Sequence, residues 1–289
     1  FRPHHALLKL PEFHRKWLAY IHDPYPMHFY PRPYVWVEPG YYQKWKFMKN
    51  MSEKAAFAAF PSRLLMEWMG SYYKGYLDKG LVLPHQIASY SNRNEVNIPP
   101  FFNQKKFNVL HSGNLLHARD PKGLIEGFNL FLKRIPVAKN DSHLFLIGNY
   151  EYHKKMLLSK AQEIELLHVM ESLPFDQVNL LQNKAAVNII LEAKSEISPF
   201  LPGKFPHCVQ ANKPILLLGP FYSESRRLLG QDYPFYAEVD EVEKIAVIIG
   251  ELYFQWKENN NQQLNRPDLE LYLSENHLKE TIDKVMQEV

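Results

Sequence analysis

Along the second half of the chain, apolar residues recur in short continuous runs, each closed by a turn residue and followed by a stretch of helical spacing. Phe107-Asn108-Val109-Leu110-His111 alternates as a strand does and is closed by Gly113. Asp120 and Pro121 then open a helix, the first as its cap and the second at its first position. Leu124, Ile125, Phe128, Phe131 and Leu132 mark the buried face of that helix. The alternation continues with a strand at 143–147 ended by Gly148, a helix over 152–161 and a strand over 164–169. A short helix over 175–183, a strand at 187–191, a loop and helix around 199–211 and a strand at 214–218 ended by Gly219 follow. Short, wholly apolar strands separated by helices predict a parallel sheet covered on both faces, with ligands at the carboxyl ends of its strands.

The first half follows the same pattern more faintly. Strands are expected at 17–21, running into His22-Asp23-Pro24, at 55–60, and at 81–83. Ser62 is placed to cap a helix over 63–73. The intervening residues 86–105, with Asn92, Asn94, Asn97, Pro99 and Pro100, show little periodicity and read as a linker. The chain therefore divides into a first lobe over 1–85, a linker, and a second lobe over 106–289 that ends in a helix from about residue 275. Three strands make a thin first lobe, and the chain starts at Phe1, so an earlier segment is expected ahead of the present numbering.

A length of 289 residues suits two medium domains. Hydrophobic residues at 46% and charged residues at 22% fit a soluble protein with a sizeable core. A net charge of +3 is too small for a nucleic-acid footprint. The lone cysteine, Cys208, rules out an internal disulfide and points to a reducing, cytoplasmic setting. No apolar run approaches the roughly 18 residues of a membrane span. Tyr41–Lys49 mixes aromatic and basic residues as interfacial segments do, which leaves peripheral contact with the inner membrane face open beside a solvated helix face.

Three segments could carry chemistry. Residues 111–120 leave a strand, pass Gly113 and Asn114, and reach a helix; Gly113 would let a phosphate approach the backbone, and Arg119 can fork onto phosphate oxygens. The same residues also read as an ordinary strand–loop–helix turn with a surface arginine. Residues 198–207 place Gly203 and Lys204 at the start of a helix with His207 one turn on, a second anion candidate or else a proline-rich loop with a solvated lysine. His22 could serve as a base or bind a sugar hydroxyl, with Asp23 orienting it, or could be a satisfied histidine beside a turn. No zinc spacing, serine-hydrolase elbow or cysteine-nucleophile signature is present.

Residues 107–128, with Gly113, Arg119 and the Leu-Ile-Glu-Gly-Phe run, resemble the opening of the donor-binding lobe in GT-B glycosyltransferases of the glycogen-synthase-like superfamily. Residues 198–216 resemble that family's Lys-Leu-Phe-Glu segment followed by Gly-x-Pro-Val. Lys204 and Pro214 match it, His207 stands where the family's ribose-binding Glu stands, and Asn114 where many members carry Arg. Residues 164–176 resemble the strand and loop that frame the base, and 16–25 and 58–62 resemble acceptor-lobe strands. The resemblance implies an α/β protein of two Rossmann-like lobes that moves a sugar from a nucleotide-sugar to a polysaccharide, lipid-linked glycan or small-molecule acceptor. It implies no resident cofactor or metal, with the nucleotide-sugar as co-substrate. Gly113, Asn114, Arg119, Gly203, Lys204 and His207 would hold the donor, Met170, Ser172 and Pro174 would frame the base, and His22 and Asp23 would face the acceptor. A nucleotide-sugar epimerase and a non-catalytic nucleotide-sugar or protein-binding module are the alternatives on the same scaffold.

Overall fold

The computed structural model describes residues 2–25, 39–88 and 97–287; Pro26 of the Asp-Pro loop and Asn92 and Asn94 of the linker lie outside them. In the first lobe α1 (Arg2–Leu7) leads through a 3-10 turn to β1 (Leu18–Tyr20). Then come α2 (Tyr42–Lys54), β2 (Phe57–Phe60), α3 (Arg63–Tyr72), α4 (Gly75–Asp78) and β3 (Gly80–Val82). The three strands form a parallel sheet in the order β1-β2-β3. Trp17, Ile21, Met48, Phe60, Met69 and Tyr76 pack its core. Phe47 and Met48 of the aromatic–basic segment face that core, so what α2 leaves outward there is Tyr42 beside Lys44, Lys46 and Lys49.

The second lobe runs β4 (Phe107–Ser112), α5 (Lys122–Arg134), β5 (Ser142–Ile147), α6 (Lys154–Glu163), β6 (Leu167–Met170), α7 (Phe175–Lys184) and β7 (Val187–Leu191). It continues with β8 (Ile197–Ser198), α8 (Phe205–Gln210), β9 (Ile215–Leu218), β10 (Tyr222–Ser223), α9 (Glu224–Leu229) and β11 (Tyr236–Ala237). Three helices, α10 (Val242–Glu258), α11 (Pro267–Tyr272) and α12 (Glu275–Gln287), complete it. The six-stranded sheet is parallel throughout, in the order β11-β9-β7-β4-β5-β6. From β4 the chain steps outward to β5 and β6, then returns to lay β7 on the other side of β4. Strand order therefore reverses between β4 and β7, which is where doubly wound sheets open a crevice.

Several expected boundaries move by a turn or less. Pro121 caps α5 from outside instead of occupying its first position, while Asp120 Oδ1 accepts the N–H of Lys122 at 2.9 Å. Ile164 ends α6, its N–H bonded to Lys160 O, so the following strand begins at Leu167. The sequence reading assigned no element between Gly219 and Pro267, yet α10 lies there. It buries Ile245, Ile248, Ile249, Leu252 and Tyr253 against α5 and the sheet. Within the expected linker, Phe102 is buried against Phe145, ring centroids 5.1 Å apart, and Ile87 N–H donates to Leu273 O.

The lobes are joined by polar contacts at the start of α3. Ser62 Oγ accepts the N–H of Leu65 as a helix cap and donates to Pro199 O across the interface. The fully buried carboxylate of Glu224 accepts the N–H groups of Arg63 at 3.2 Å and Leu64 at 3.3 Å. Its charge is met by a two-pronged contact from Arg227, at 3.0 and 2.8 Å. A carboxylate at a helix N-terminus answers both the unpaired N–H groups and the helix dipole.

The packing of α5 on the start of α10 gives a test. A Cβ on Gly123 would stand 2.0 Å from Val239 O. Gly→Ala inside a helix usually stabilises by about 1 kcal/mol; here the clash wins, and Gly123→Ala lowers the urea midpoint of unfolding.

Candidate functional site

Strand β4 delivers Ser112 and then Gly113, whose φ of +141° is a conformation that side-chain-bearing residues rarely adopt. Gly148, just past β5, has φ +146°, and a Cβ there would lie 2.2 Å from Gly113 O. The two strand exits therefore run against each other with no room for a side chain. From the far side of the switch point Lys204, the cap residue of α8, reaches back over β7. Its Nζ donates to Ile189 O at 3.3 Å and comes within 3.4 Å of where a Gly113 Cβ would sit. With only six residues, α8 adds little dipole, so the charge on Lys204 dominates this end of the site.

Two hollows meet here. The first, about 340 Å³, is lined by Gly113, Asn114, Ser172, Lys204 and His207 together with Phe175. The second, about 420 Å³, lies between the lobes and is bordered by His22, Asp23, His85, Arg119 and Glu192. Gly203 lines both. Arg119 and Lys204, 85 positions apart in sequence, thus stand on adjoining walls, close enough that the guanidinium's charge acts on the ammonium. Among the described residues neither forms an ion pair with a carboxylate.

Of the other residues singled out from sequence, the side chain of Asn114 is already used, its Oδ1 accepting the N–H of Asn149 at 3.2 Å. The half-buried ring of His207 stands edge-on to Phe175 at 4.9 Å, its Nδ1 buried without a partner. Met170, like Leu173 and Ile98, packs against the cluster of Phe102, Leu110, Phe145 and Leu181, and Pro174 precedes α7; Leu173 and Phe175 line the hollow beside Ser172. His22 and Asp23 are exposed, the His22 ring lying 4.2 Å from Tyr20 and 5.9 Å from His85.

Sequence reasoning missed three groups. Glu192 follows β7 at the switch point, 3% exposed. His85 follows β3 and completes a column of rings with Tyr20 and His22. His111, 1% exposed near the end of β4, has neither ring nitrogen partnered. A charged or polar residue ending an otherwise apolar strand, as in Ile190-Leu191-Glu192, was the available signal.

The electrostatics are those of a site short of negative charge. Burial, with Arg119 adding to it, pushes the Lys204 ammonium down to about 7. His111 is held well below its ordinary value by burial and then by Lys204 and Arg119. Burial lowers His207 as well, and it lowers His85 with the neighbouring His22 ring adding to the effect. The Glu192 carboxyl is pushed up to about 7 by burial, against hydrogen bonds from Ser225, Ser198 and Ser223. Arg119 and Lys204 on adjoining walls, neither paired with a carboxylate among the described residues, favour a multiply charged anion. No cluster of three or more His, Cys, Asp or Glu that could hold a metal occurs among the described residues. No described helix is long and apolar enough to cross a membrane.

Two Rossmann-like lobes meeting across a hollow at the switch point define a GT-B fold. Solved structures of that architecture match the chain over nearly its whole length. An OtsA apo structure shares 11% identity at a TM-score of 0.66, covering 94% of this chain and 67% of its own. A UDP-forming α,α-trehalose-phosphate synthase from Burkholderia xenovorans, in complex with glucose-6-phosphate, shares 10% at 0.62, covering 94% and 67%. The trehalose-6-phosphate structure from E. coli bound with UDP-2-fluoro glucose shares 12% at 0.64, covering 94% and 68%. This chain thus spans about two thirds of the length of each. No family model and no curated protein matches the sequence.

Lys204 supplies a stability test. With its pKa lowered on folding, the unfolded chain binds more protons between about pH 7 and the ordinary lysine value, so stability climbs with pH across that window. Lys204→Met removes that climb and raises the melting temperature at pH 7, as differential scanning calorimetry would show.

Proposed function

We propose that this chain is a glycosyltransferase that passes a sugar from a nucleotide-sugar to a hydroxyl of a sugar-like acceptor. The observation that carries the reading is the convergence of Arg119 and Lys204, both without carboxylate partners among the described residues, at one switch point opposite a second lobe. The pyrophosphate of the donor fits between Gly113 and Gly203, where the backbone can be approached closely and the two cations meet it from adjoining walls. As the bond from sugar to phosphate breaks, charge builds on the departing diphosphate, and fixed cations in a partly dry site stabilise it by about 3–4 kcal/mol each. These groups supply the charge that a metal supplies elsewhere, so turnover is expected to persist in chelator.

The base lies toward Leu173 and Phe175, with Ser172 at its edge and His207 beside the ribose. The acceptor enters the inter-lobe hollow, where His22 takes the proton of its attacking hydroxyl and Asp23 orients the ring. The similar structures bound to a UDP-sugar analogue and to a sugar phosphate support both halves of this assignment. A second lobe bearing an exposed His-Asp pair over the hollow favours transfer over epimerisation, which needs no second substrate.

Arg119→Ala and Lys204→Ala should each reduce transfer, or slow hydrolysis of the donor, by about a hundredfold or more with the fold intact by circular dichroism. Unchanged turnover would reject these roles; tight donor binding without turnover in the parent protein would favour a binding module. Because a diphosphate restores the charge on Lys204, UDP binding at pH 8 should take up a proton. Calorimetry in buffers of different ionisation enthalpy reads that uptake, and it should vanish in Lys204→Met.

A further inference from the structure

Strands β8 and β10 pair in parallel for two residues only, Tyr222 opposite Ile197 and Ser223 opposite Ser198. Successive residues of a strand face opposite ways, and this ribbon uses both sides. On one side Ser198 and Ser223, with Ser225 from the first turn of α9, surround the carboxyl of Glu192; Ser225 Oγ donates to Oε1 at 2.6 Å. On the other side the next residues hold the first lobe: Pro199 O accepts from Ser62, and Glu224 accepts the first two N–H groups of α3. Gly219 completes the setting, since a Cβ there would stand 2.7 Å from Glu192 Oε2, which has no hydrogen-bond partner. The same Glu192 borders the inter-lobe hollow beside Arg119 and His22.

We propose that Glu192 is a positioning residue that couples the inter-lobe hollow to the contact between the lobes: through its ring of serines it fixes the turn that carries Glu224. The role in transfer rests on reading that hollow as the reaction chamber; the mechanical coupling does not. The groups facing Glu192 are Arg119 from the loop after β4, the serines of β8, β10 and α9, and the Tyr236 phenol on β11. Arg119 alone among them is a cation, and it lines the hollow with Ser198 of the ribbon. Burial keeps the carboxyl neutral against the pull of the hydroxyls, which favour its charged form, and leaves Oε2 without a donor. Once ionised above about pH 7, it demands more donors than the ring supplies and draws in water. The turn then loosens and the lobes part.

The test reads lobe separation directly. Cys208 is buried, so cysteines introduced at the exposed positions Ser71 on α3 and Val247 on α10 take a dye pair selectively. In the ligand-free protein, energy transfer between the dyes should fall as pH rises through 7. In Glu192→Gln, which keeps the shape and cannot ionise, transfer should stay at its low-pH level throughout. Ser225→Ala, which cuts the ring without touching the carboxyl, should show reduced transfer even at pH 6. In the parent, the donor's KM should rise with pH above 7 by up to about tenfold per unit, the limit for one linked proton, and Glu192→Gln should flatten that slope. A parent whose dye distance ignores pH, or a Glu192→Gln protein that still opens with pH, overturns the proposal. Because the dye signal needs no turnover, a protein that transfers no sugar yet opens with pH would defeat the transferase reading and leave the coupling standing.

Discussion

In a parallel sheet every strand needs a crossover, and where successive crossovers leave in opposite directions the covering helices must separate. That constraint, applied between β4 and β7, shapes the rest of this molecule. The gap collects the ends of two strands that are distant in sequence, so a glycine after one and a lysine after the other become neighbours without any local signal joining them. The first lobe then closes over the same gap, held at the N-terminus of α3 by Ser62 and Glu224. Reach, charge and enclosure all follow from one reversal of strand order.

The crowding of cations at this point is costly for the fold. An ammonium and an imidazole lose hydration there without gaining a carboxylate in return, and their proton affinities fall. Such a group is retained where an anion that is not part of the chain completes it. The contrast with Glu224 is instructive. That carboxylate is more deeply buried, yet two backbone N–H groups and a forked arginine satisfy it within the protein. A satisfied buried charge holds lobes together, whereas an unsatisfied one waits for a ligand.

Five strands of the second lobe's sheet, β4 to β7 and β9, were legible because each is a mostly apolar run: Val187–Leu191 was placed to the residue, and the helix after Pro174 to within one. The loops holding Gly113, Arg119, Gly203 and Lys204 were legible as well, since strand ends in such sheets are where ligands go. The helix at 242–258 carries apolar residues at 245, 248, 249 and 252, a regular helical spacing, but it has no side-chain cap at its start, which removed the usual boundary signal. β8 and β10 are two residues each and pair across 23 intervening positions, so no local pattern marks them. Glu192 was missed for a related reason: a lone acid after a strand looks like a solvated end until Ser198, Ser223 and Ser225 fold around it. Met170 and Pro174 were assigned by position within a resembling segment, and the hollow is lined there by Ser172, Leu173 and Phe175.

Gly113 and Gly148 bear on how this chain can change over time. Each occupies a backbone conformation that a side chain disfavours, and Gly113 O also fills the space into which residue 148 would have to grow. A single-codon change at 148 meets both obstacles at once, one at 113 meets the backbone obstacle, and no one-step compensation elsewhere relieves either backbone. Lineages that drift apart across most of the surface are therefore held to the same two codon families here, and this pair should persist as a fossil long after overall identity has decayed.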